Sequence, residues 1–313
     1  MFCVVCINGD FSFLFLVYIL FNRRANHGKG EDGVEEILRS FPQDAIVLDV
    51  TATDVRQLAT ELDSDDVMVI CGGDGTLNHF ANSVKGLDMN FPVYMWRSGT
   101  GNDFLNDLEL PKGEKKVLIN KYLKDLPTVD INGLYNSENV CFINGVGMGV
   151  DGFVCEEMDI KKRQGKNASY TLVAIKQIFF GYKRPNAKIT IDGVVKKYKK
   201  VYLVPTMNGR FLGGGMKMAP MQDRLDDKLS CLVVHNCGRF TLLLLFLTIF
   251  GGTHIKHKKI VEWCYGRDIL VEFDRPTSLQ VDGEVYTNVT SYRATKAKQE
   301  ILEKPLATTA AEI

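Results

Sequence analysis

One segment restricts this chain more than any other. Val67-Met68-Val69-Ile70-Cys71 is an uncharged apolar run that ends in Gly72-Gly73-Asp74-Gly75-Thr76-Leu77-Asn78. A short apolar run bounded by glycines reads as a strand buried on both faces, which belongs in a parallel sheet covered by helices. Glycines at its end let the backbone approach a phosphate, and a helix opening there offers unpaired N–H groups to an anion. Asp74 would repel a bare phosphate, so its place in the loop suits a Mg²⁺ ion or a nucleotide hydroxyl in between. The same residues also make an ordinary strand-to-helix turn.

The flanking sequence repeats the pattern. Apolar runs at 17–21, 45–50 and 93–96 read as further strands, with helices at 35–40, 55–62, from about Thr76, and at 103–108. Strand–turn–helix units at this spacing predict a doubly wound parallel sheet with ligands at the strands' C-terminal ends. A second loop, Ser98-Gly99-Thr100-Gly101-Asn102-Asp103-Phe104, follows the strand at 93–96. Asp103 either faces the same cleft as Asp74 or caps its own helix.

After Pro111 the texture changes. Short alternating runs at 128–132, 139–144, 187–191, 195–204, 228–234, 268–273 and 278–281 are punctuated by turns such as Asp192-Gly193 and Asp282-Gly283. They predict an antiparallel β-sandwich domain with helical inserts at 168–180 and 240–250. The expected division is an α/β nucleotide-binding domain over 17–125 and a β-rich substrate domain over 126–304, with 1–16 and 305–313 as extensions.

Composition mainly excludes. The 38 basic and 38 acidic residues among 313 give no bulk attraction to nucleic acid. Cys3 and Cys6 form a lone C-x-x-C without a second pair, and Cys71, Cys141 and Cys231 lie in apolar runs, so reduced thiols in a cytosolic protein are expected. The apolar stretches at 11–21 and 240–250 are too short to span a bilayer, and the first lacks a basic n-region. The second precedes Lys256-His257-Lys258-Lys259. It reads either as a helix buried between domains or as an apolar helix on an anionic membrane surface. Basic clusters at 161–166 and 196–200 are solvated faces or parts of the same footprint.

Five motifs in order resemble the diacylglycerol kinase catalytic-domain family, which includes soluble bacterial diacylglycerol kinases and, more distantly, sphingosine and ceramide kinases. They are the segment opened by Asn22 (NRRANHGKG), Gly72 to Thr76, Gly99 to Phe104, Gly213-Gly214-Gly215-Met216-Lys217-Met218-Ala219-Pro220, and Asp282-Gly283-Glu284. The resemblance spans about Tyr18 to Tyr286. The first glycine-aspartate loop alone is shared with NAD kinases and phosphofructokinases.

The resemblance implies an ATP- and Mg²⁺-dependent kinase acting on a lipid alcohol, diacylglycerol first. The alternative acceptors are a sphingoid base, ceramide, phosphatidylglycerol or an undecaprenol-like alcohol. An NAD kinase or a non-catalytic nucleotide or lipid sensor stands behind these. Asn22, Thr51, Gly72, Gly73, Asp74, Gly75, Thr76 and Thr100 would surround the nucleotide. Asp103 would help hold the magnesium-bound site, with Asp74 beside it, and Glu284 would be the general base. A structural magnesium site would map onto Asp226, with backbone oxygens from Asp223 and Lys228. Implied partners are ATP, the lipid and a peripheral membrane surface at the inner face of a cytoplasm, with a homodimer allowed. Three positions depart from the family's pattern: Arg23 for proline, His79 for glutamate, and Lys228 for glycine after Asp227.

Overall fold

The first part of the chain runs β1 (Val17–Phe21), α1 (Val34–Ser40), β2 (Ala45–Asp49), α2 (Val55–Glu61), β3 (Val67–Gly72), α3 (Asp74–Ser83), β4 (Val93–Arg97), α4 (Asp103–Asp107), β5 (Lys116–Leu118) and α5 (Asn120–Leu123). These elements come from a computed structural model, which describes residues 16–23, 33–40, 45–98, 102–111, 113–132, 140–165 and 170–296. The strands form one sheet in the order β2-β1-β3-β4-β5, parallel except for β5.

Alternation within the strands decides which side each helix covers. Val17, Ile19 and Phe21 of β1 join Val69 and Cys71 of β3 under Val34 and Ile37 of α1. Leu20, Met68 and Ile70 face the other way, against Val55 and Ala59 of α2 and Leu77 and Phe80 of α3. Both faces are therefore covered, as an uncharged strand such as β3 requires.

The second part runs β6 (Thr128–Asn132), β7 (Val140–Cys141), β8 (Gly145–Gly149), α6 (Val150–Arg163), α7 (Tyr170–Lys176), β9 (Ala187–Ile191), β10 (Val194–Tyr198), β11 (Val201–Met207), β12 (Leu229–His235), α8 (Arg239–Ile249), β13 (Val261–Gly266), β14 (Asp268–Val281) and β15 (Glu284–Thr295). Its strands pair antiparallel in one ten-stranded system. The system closes around Phe142, Met148, Val204, Leu229, Val271 and Tyr292 as a β-sandwich. The outer face of β11 and β12 carries a second apolar layer, in which α6, α7 and α8 contribute Val150, Val154, Val173, Leu242 and Leu245. The chain is thus an α/β domain followed by an antiparallel sandwich, as its sequence texture predicts.

Several elements differ from expectation. Alternation over 195–204 reads as one strand, but the chain turns at Lys199-Lys200, where Lys200 takes a φ of +54°, and gives β10 and β11. The runs at 268–273 and 278–281 are one strand whose register shifts between Glu272 and Leu279, around Pro276. Proline removes a ladder donor and sits at such irregularities. The strand Gly145-Val146-Gly147-Met148-Gly149 and the helix α6 have no counterpart in the expected elements, because three glycines mask a strand. The glycines have a packing cause. A Cβ on Gly147 would lie 1.5 Å from Asp151 Oδ2, and one on Gly152 would lie 2.3 Å from the Ser278 carbonyl oxygen. The bare backbone lets α6 lie close against β8 and β14.

The stretch at 240–250 is α8, which packs on the second domain's own apolar layer rather than between the domains. Leu242, Leu245 and Ile249 face inward, while Phe240, Leu244 and Leu247 form an outward stripe that is 65–76% exposed. Among the described residues no helix is long and apolar enough to cross a membrane.

Candidate active site

The parallel register brings the expected nucleotide residues to one edge. Phe21 of β1 is level with Asp49 of β2 and Cys71 of β3, so Asn22, Thr51 and the Gly72–Thr76 loop leave three neighbouring strands side by side. Thr51 is exposed, and its N–H and hydroxyl donate to Asp49 Oδ1 at 3.0 and 2.9 Å. Gly73 is the N-cap of α3. Gly72 is required because its Cβ would lie 2.4 Å from Thr76 Oγ1, whereas Gly75 faces open space. The loop is therefore a bare backbone surface at a helix N-terminus, which suits phosphate oxygens. Thr100, with Gly99 and Gly101, lies outside the described residues, as do residues 1–15, 24–30 and 305–313.

The two loop aspartates act in series. Asp74 accepts from the backbone N–H of Asp103 at 2.7 Å and of Phe104 at 3.0 Å, which caps α4 from another helix. Asp103 in turn accepts from Gly214 N–H at 2.8 Å and Gly215 N–H at 2.6 Å, in the second domain. Gly213, Gly214 and Gly215 all have positive φ, +73°, +83° and +98°. Side-chain-bearing residues avoid that region, so the triple glycine is explained by a turn whose N–H groups close on a carboxylate. Burial pushes the Asp103 carboxyl up and the Asp74 charge adds to this, against the pull of the two glycine donors.

Two carboxylates hold contacts that the sequence does not announce: Asp107, outside the expected site, and Asp282, expected only as part of the late acidic motif. Asp107, at the end of α4, meets Arg210 Nε at 2.7 Å and Arg224 at 2.8 Å across the domain boundary. Arg224 is itself buried and stacks its guanidinium 4.5 Å from the Phe104 ring centre. Asp282 accepts from Ile143 N–H at 2.5 Å, from Asn144 and Gly145 N–H at 2.9 Å, and from Asn78 Nδ2 of α3 at 2.8 Å. Asn82 adds a two-way bond to the Cys141 backbone at 2.9 and 3.0 Å. Spacing hid the partners of both carboxylates, which lie 103 to 204 residues away.

Glu284 opens β15 immediately beyond the Asp282 turn and is exposed. It lines a cleft of about 1020 Å³ together with Gly75, Asn78, His79, Asn82, Arg56, Lys85 and Tyr286. The expected base and the expected phosphate loop thus share one cavity, and His79 lies in it too.

The Asp223–Lys228 loop is arranged differently from expectation. The Asp226 carboxylate accepts from the Tyr265 hydroxyl. The carbonyls of Asp223 and Lys228 accept from the Gln222 amide at 2.7 and 3.0 Å. Among the described residues no group of three or more His, Cys, Asp or Glu side chains is disposed to hold a metal.

A second cavity lies beneath α8. Val150, Val154, Ile178, Leu203, Met216, Met218, Leu242, Leu245, Phe246 and Ile249 line it, and Asp151 stands in its wall. Both Asp151 oxygens are buried without a hydrogen bond of ordinary geometry; burial pushes this carboxyl up to about 6, against the pull of the nearby Gly152 N–H and Gln280 amide. The signal that marks it in the sequence is a lone acid inside the small and apolar run 145–154.

Comparison with known proteins decides the family. The diacylglycerol kinase catalytic domain model matches residues 16–132, and the YegS C-terminal NAD kinase beta sandwich-like domain model matches residues 144–299. This chain belongs to the diacylglycerol kinase catalytic-domain family of lipid kinases. A diacylglycerol kinase of Mycobacterium tuberculosis is 24% identical over 214 residues, 66% of this chain and 67% of its own. A provisionally named lipid kinase of Staphylococcus aureus is 24% identical over 221 residues, 70% of this chain and 71% of its own. A crystal structure of a diacylglycerol kinase from Bacillus anthracis superposes with a TM-score of 0.61 at 21% identity, covering 90% of this chain and 93% of that one. Family membership makes the ATP-dependent lipid kinases the class in which the cleft is to be read.

Proposed function

We propose that this lipid kinase transfers the γ-phosphoryl group of ATP to the free hydroxyl of diacylglycerol, giving phosphatidic acid and ADP. The observation that carries the reading is the shared cleft: the Gly75 end of the phosphate loop and the Glu284 carboxylate line the same cavity. In this reading the lipid oxygen bonds to the γ-phosphorus as the bond to the ADP oxygen breaks, and Glu284 takes the hydroxyl proton. Such transfers depend mainly on placement and on neutralising charge, and a positioned carboxylate contributes about 10²- to 10⁴-fold. Arg56 and Lys85 make the cleft rim cationic, which suits phosphate oxygens.

The donor set of the phosphate loop fits a magnesium nucleotide: bare N–H groups for phosphate, with the half-buried Asp74 carboxylate for the ion. When bound, that ion supplies neutralisation of phosphate charge. Asp74 and Asp103 also hold α4 and the triple-glycine turn in place, so each of them shapes the site as well as charging it.

The cavity under α8 supports a lipid acceptor. It is apolar throughout except for Asp151 and the buried His254, whose Nε2 is already 2.9 Å from the Met218 carbonyl. Asp151 would hydrogen-bond a polar group of the lipid, while the outward stripe Phe240, Leu244 and Leu247, with exposed Lys256, Lys258 and Lys259 beyond it, would seat the protein on an anionic bilayer.

The test is transfer of labelled phosphate from magnesium ATP to diacylglycerol in mixed micelles, with sphingoid base, ceramide, phosphatidylglycerol and NAD in parallel. Label on diacylglycerol above the other acceptors is expected. Label on another lipid alcohol changes the acceptor, and label only on NAD overturns the reading. Glu284→Gln should lower kcat by about 10²-fold or more with ATP affinity unchanged. Full turnover in that variant would remove Glu284 from the mechanism.

A further inference from the structure

The acidic loop at 222–228 carries three carboxylates, Asp223, Asp226 and Asp227, and the family pattern implies a structural magnesium ion there. The donors around it do not fit that ion. A magnesium ion takes oxygen ligands at about 2.1 Å in near-octahedral array, so ligating carbonyls must converge on open space. Here the Asp223 and Lys228 carbonyls converge on the Gln222 side-chain nitrogen, at 2.7 and 3.0 Å. Gln222 is 3% exposed and is fixed from its other end, where Oε1 accepts from Ser230 Oγ at 2.7 Å. The amide fills the point that an ion bridging those two carbonyls would need.

The rest of the loop is answered in the same way. The Asp226 carboxylate takes the Tyr265 hydroxyl, and Asp227 pairs with Arg267. Asp223 Oδ1 accepts from Leu225 N–H at 2.9 Å. The carbonyl of Arg224 accepts from Lys296 Nζ at 2.9 Å, and the same ammonium donates to Asn208 Oδ1 at 2.7 Å. Lys296 is only 9% exposed; burial and the neighbouring Arg224 charge push its pKa down to about 8, against the attraction of Asp226 and Asp223. A lysine is seldom buried to this degree without anionic or carbonyl partners.

We propose that the loop is built around the chain's own donors, with the Lys296 ammonium as its resident cation and the Gln222 amide as the link between its carbonyls, in place of a divalent ion. The arrangement has a positioning role. Lys296 holds the backbone of Arg224, and the Arg224 side chain reaches Asp107 of α4, the Ile143 carbonyl and Asn144 Oδ1. The lysine therefore braces the arginine that joins the two domains. This inference concerns the loop alone and holds whichever lipid is the acceptor.

The experiment compares thermal unfolding of the full chain, without nucleotide, in EDTA and in excess Mg²⁺, together with a Mn²⁺ titration read by electron paramagnetic resonance. An unchanged Tm and no tight nucleotide-independent Mn²⁺ site are expected. A structural ion at saturation would raise Tm by several degrees, and such a rise, removed by Asp226→Asn, would overturn the proposal. Lys296→Met keeps the aliphatic volume and removes the charge; its Tm should fall by about 5 °C or more at either metal level. A variant that melts as wild type would equally overturn the lysine's role. Should Lys296→Met not fold, the chelation arm on the wild-type chain decides alone.

Discussion

Two half-buried aspartates of the second domain, about 130 residues apart in the chain, sit in opposite surroundings. Asp282 accepts four hydrogen bonds, three from the backbone at 143–145 and one from Asn78 of the first domain. Asp151 has no hydrogen bond of ordinary geometry, only the approach of the Gly152 N–H and the Gln280 amide, and it faces the apolar cavity under α8. A buried charge held by several donors is a structural fastener, because each donor depends on it. A carboxyl left with few and poorly aligned partners is a cost the fold carries, and such groups gather at functional sites. The contrast separates a carboxylate that joins the domains from one that stands in the wall of an apolar cavity.

The largest expected effect tests the first half of that contrast. Asp282→Ala strands three N–H groups and the Asn78 amide together, so it should destabilise the protein by about 3–5 kcal/mol. Urea unfolding measures this, and a loss below about 1 kcal/mol would show that the four bonds are not a fastener.

A smaller effect is expected at the glycine that makes room for Asp151. Gly147→Ala would drive a methyl into the carboxylate and should cost about 1–3 kcal/mol. In an Asp151→Gly background the same substitution should cost clearly less. Equal costs in both backgrounds would place the clash elsewhere.

The change confined to one pH window carries the most specific signature. The folded-state pKa of Asp151, about 6, lies above the ordinary carboxylate value. As pH rises from about 4 to about 6 the unfolded chain releases this proton first, so the folded state loses stability through that window and stays lower above it. Asp151→Asn should therefore stabilise the protein by up to about 3 kcal/mol at pH 8 and have little effect at pH 4. Its activity toward the lipid should fall at both pH values while ATP affinity holds. A variant that destabilises at pH 8 would show that the Gly152 and Gln280 donors outweigh the cost of burying the charge.

Legibility from sequence followed the range of the interactions. The first domain was readable because its signals are local: apolar runs, glycine turns and helix starts lie within a few residues of one another, and the α/β sheet follows from their order. The sandwich was readable as a class and less so in detail, since glycines chosen for the close approach of α6 disguise β8. Residues at the site divide in the same way. Gly72 to Thr76 announce themselves, whereas the partner of Asp103 is a glycine turn 111 residues downstream and that of Asp282 is an asparagine 204 residues upstream. The acidic loop was legible as a cluster of charge. Its occupancy was not, because Gln222 and Lys296 look like ordinary surface residues until the fold buries them.

The contacts across the domain boundary have a mechanical consequence. Asp103 and Asp107 fasten the two ends of α4 to the second domain, and Asn78 with Asn82 fasten α3. Two attachment points leave an axis about which bodies can still swing, and a third on another helix removes it. The Gly72–Thr76 loop and Glu284, which line one cleft, are held relative to each other by that frame, as the jaws of a gauge are held by its body.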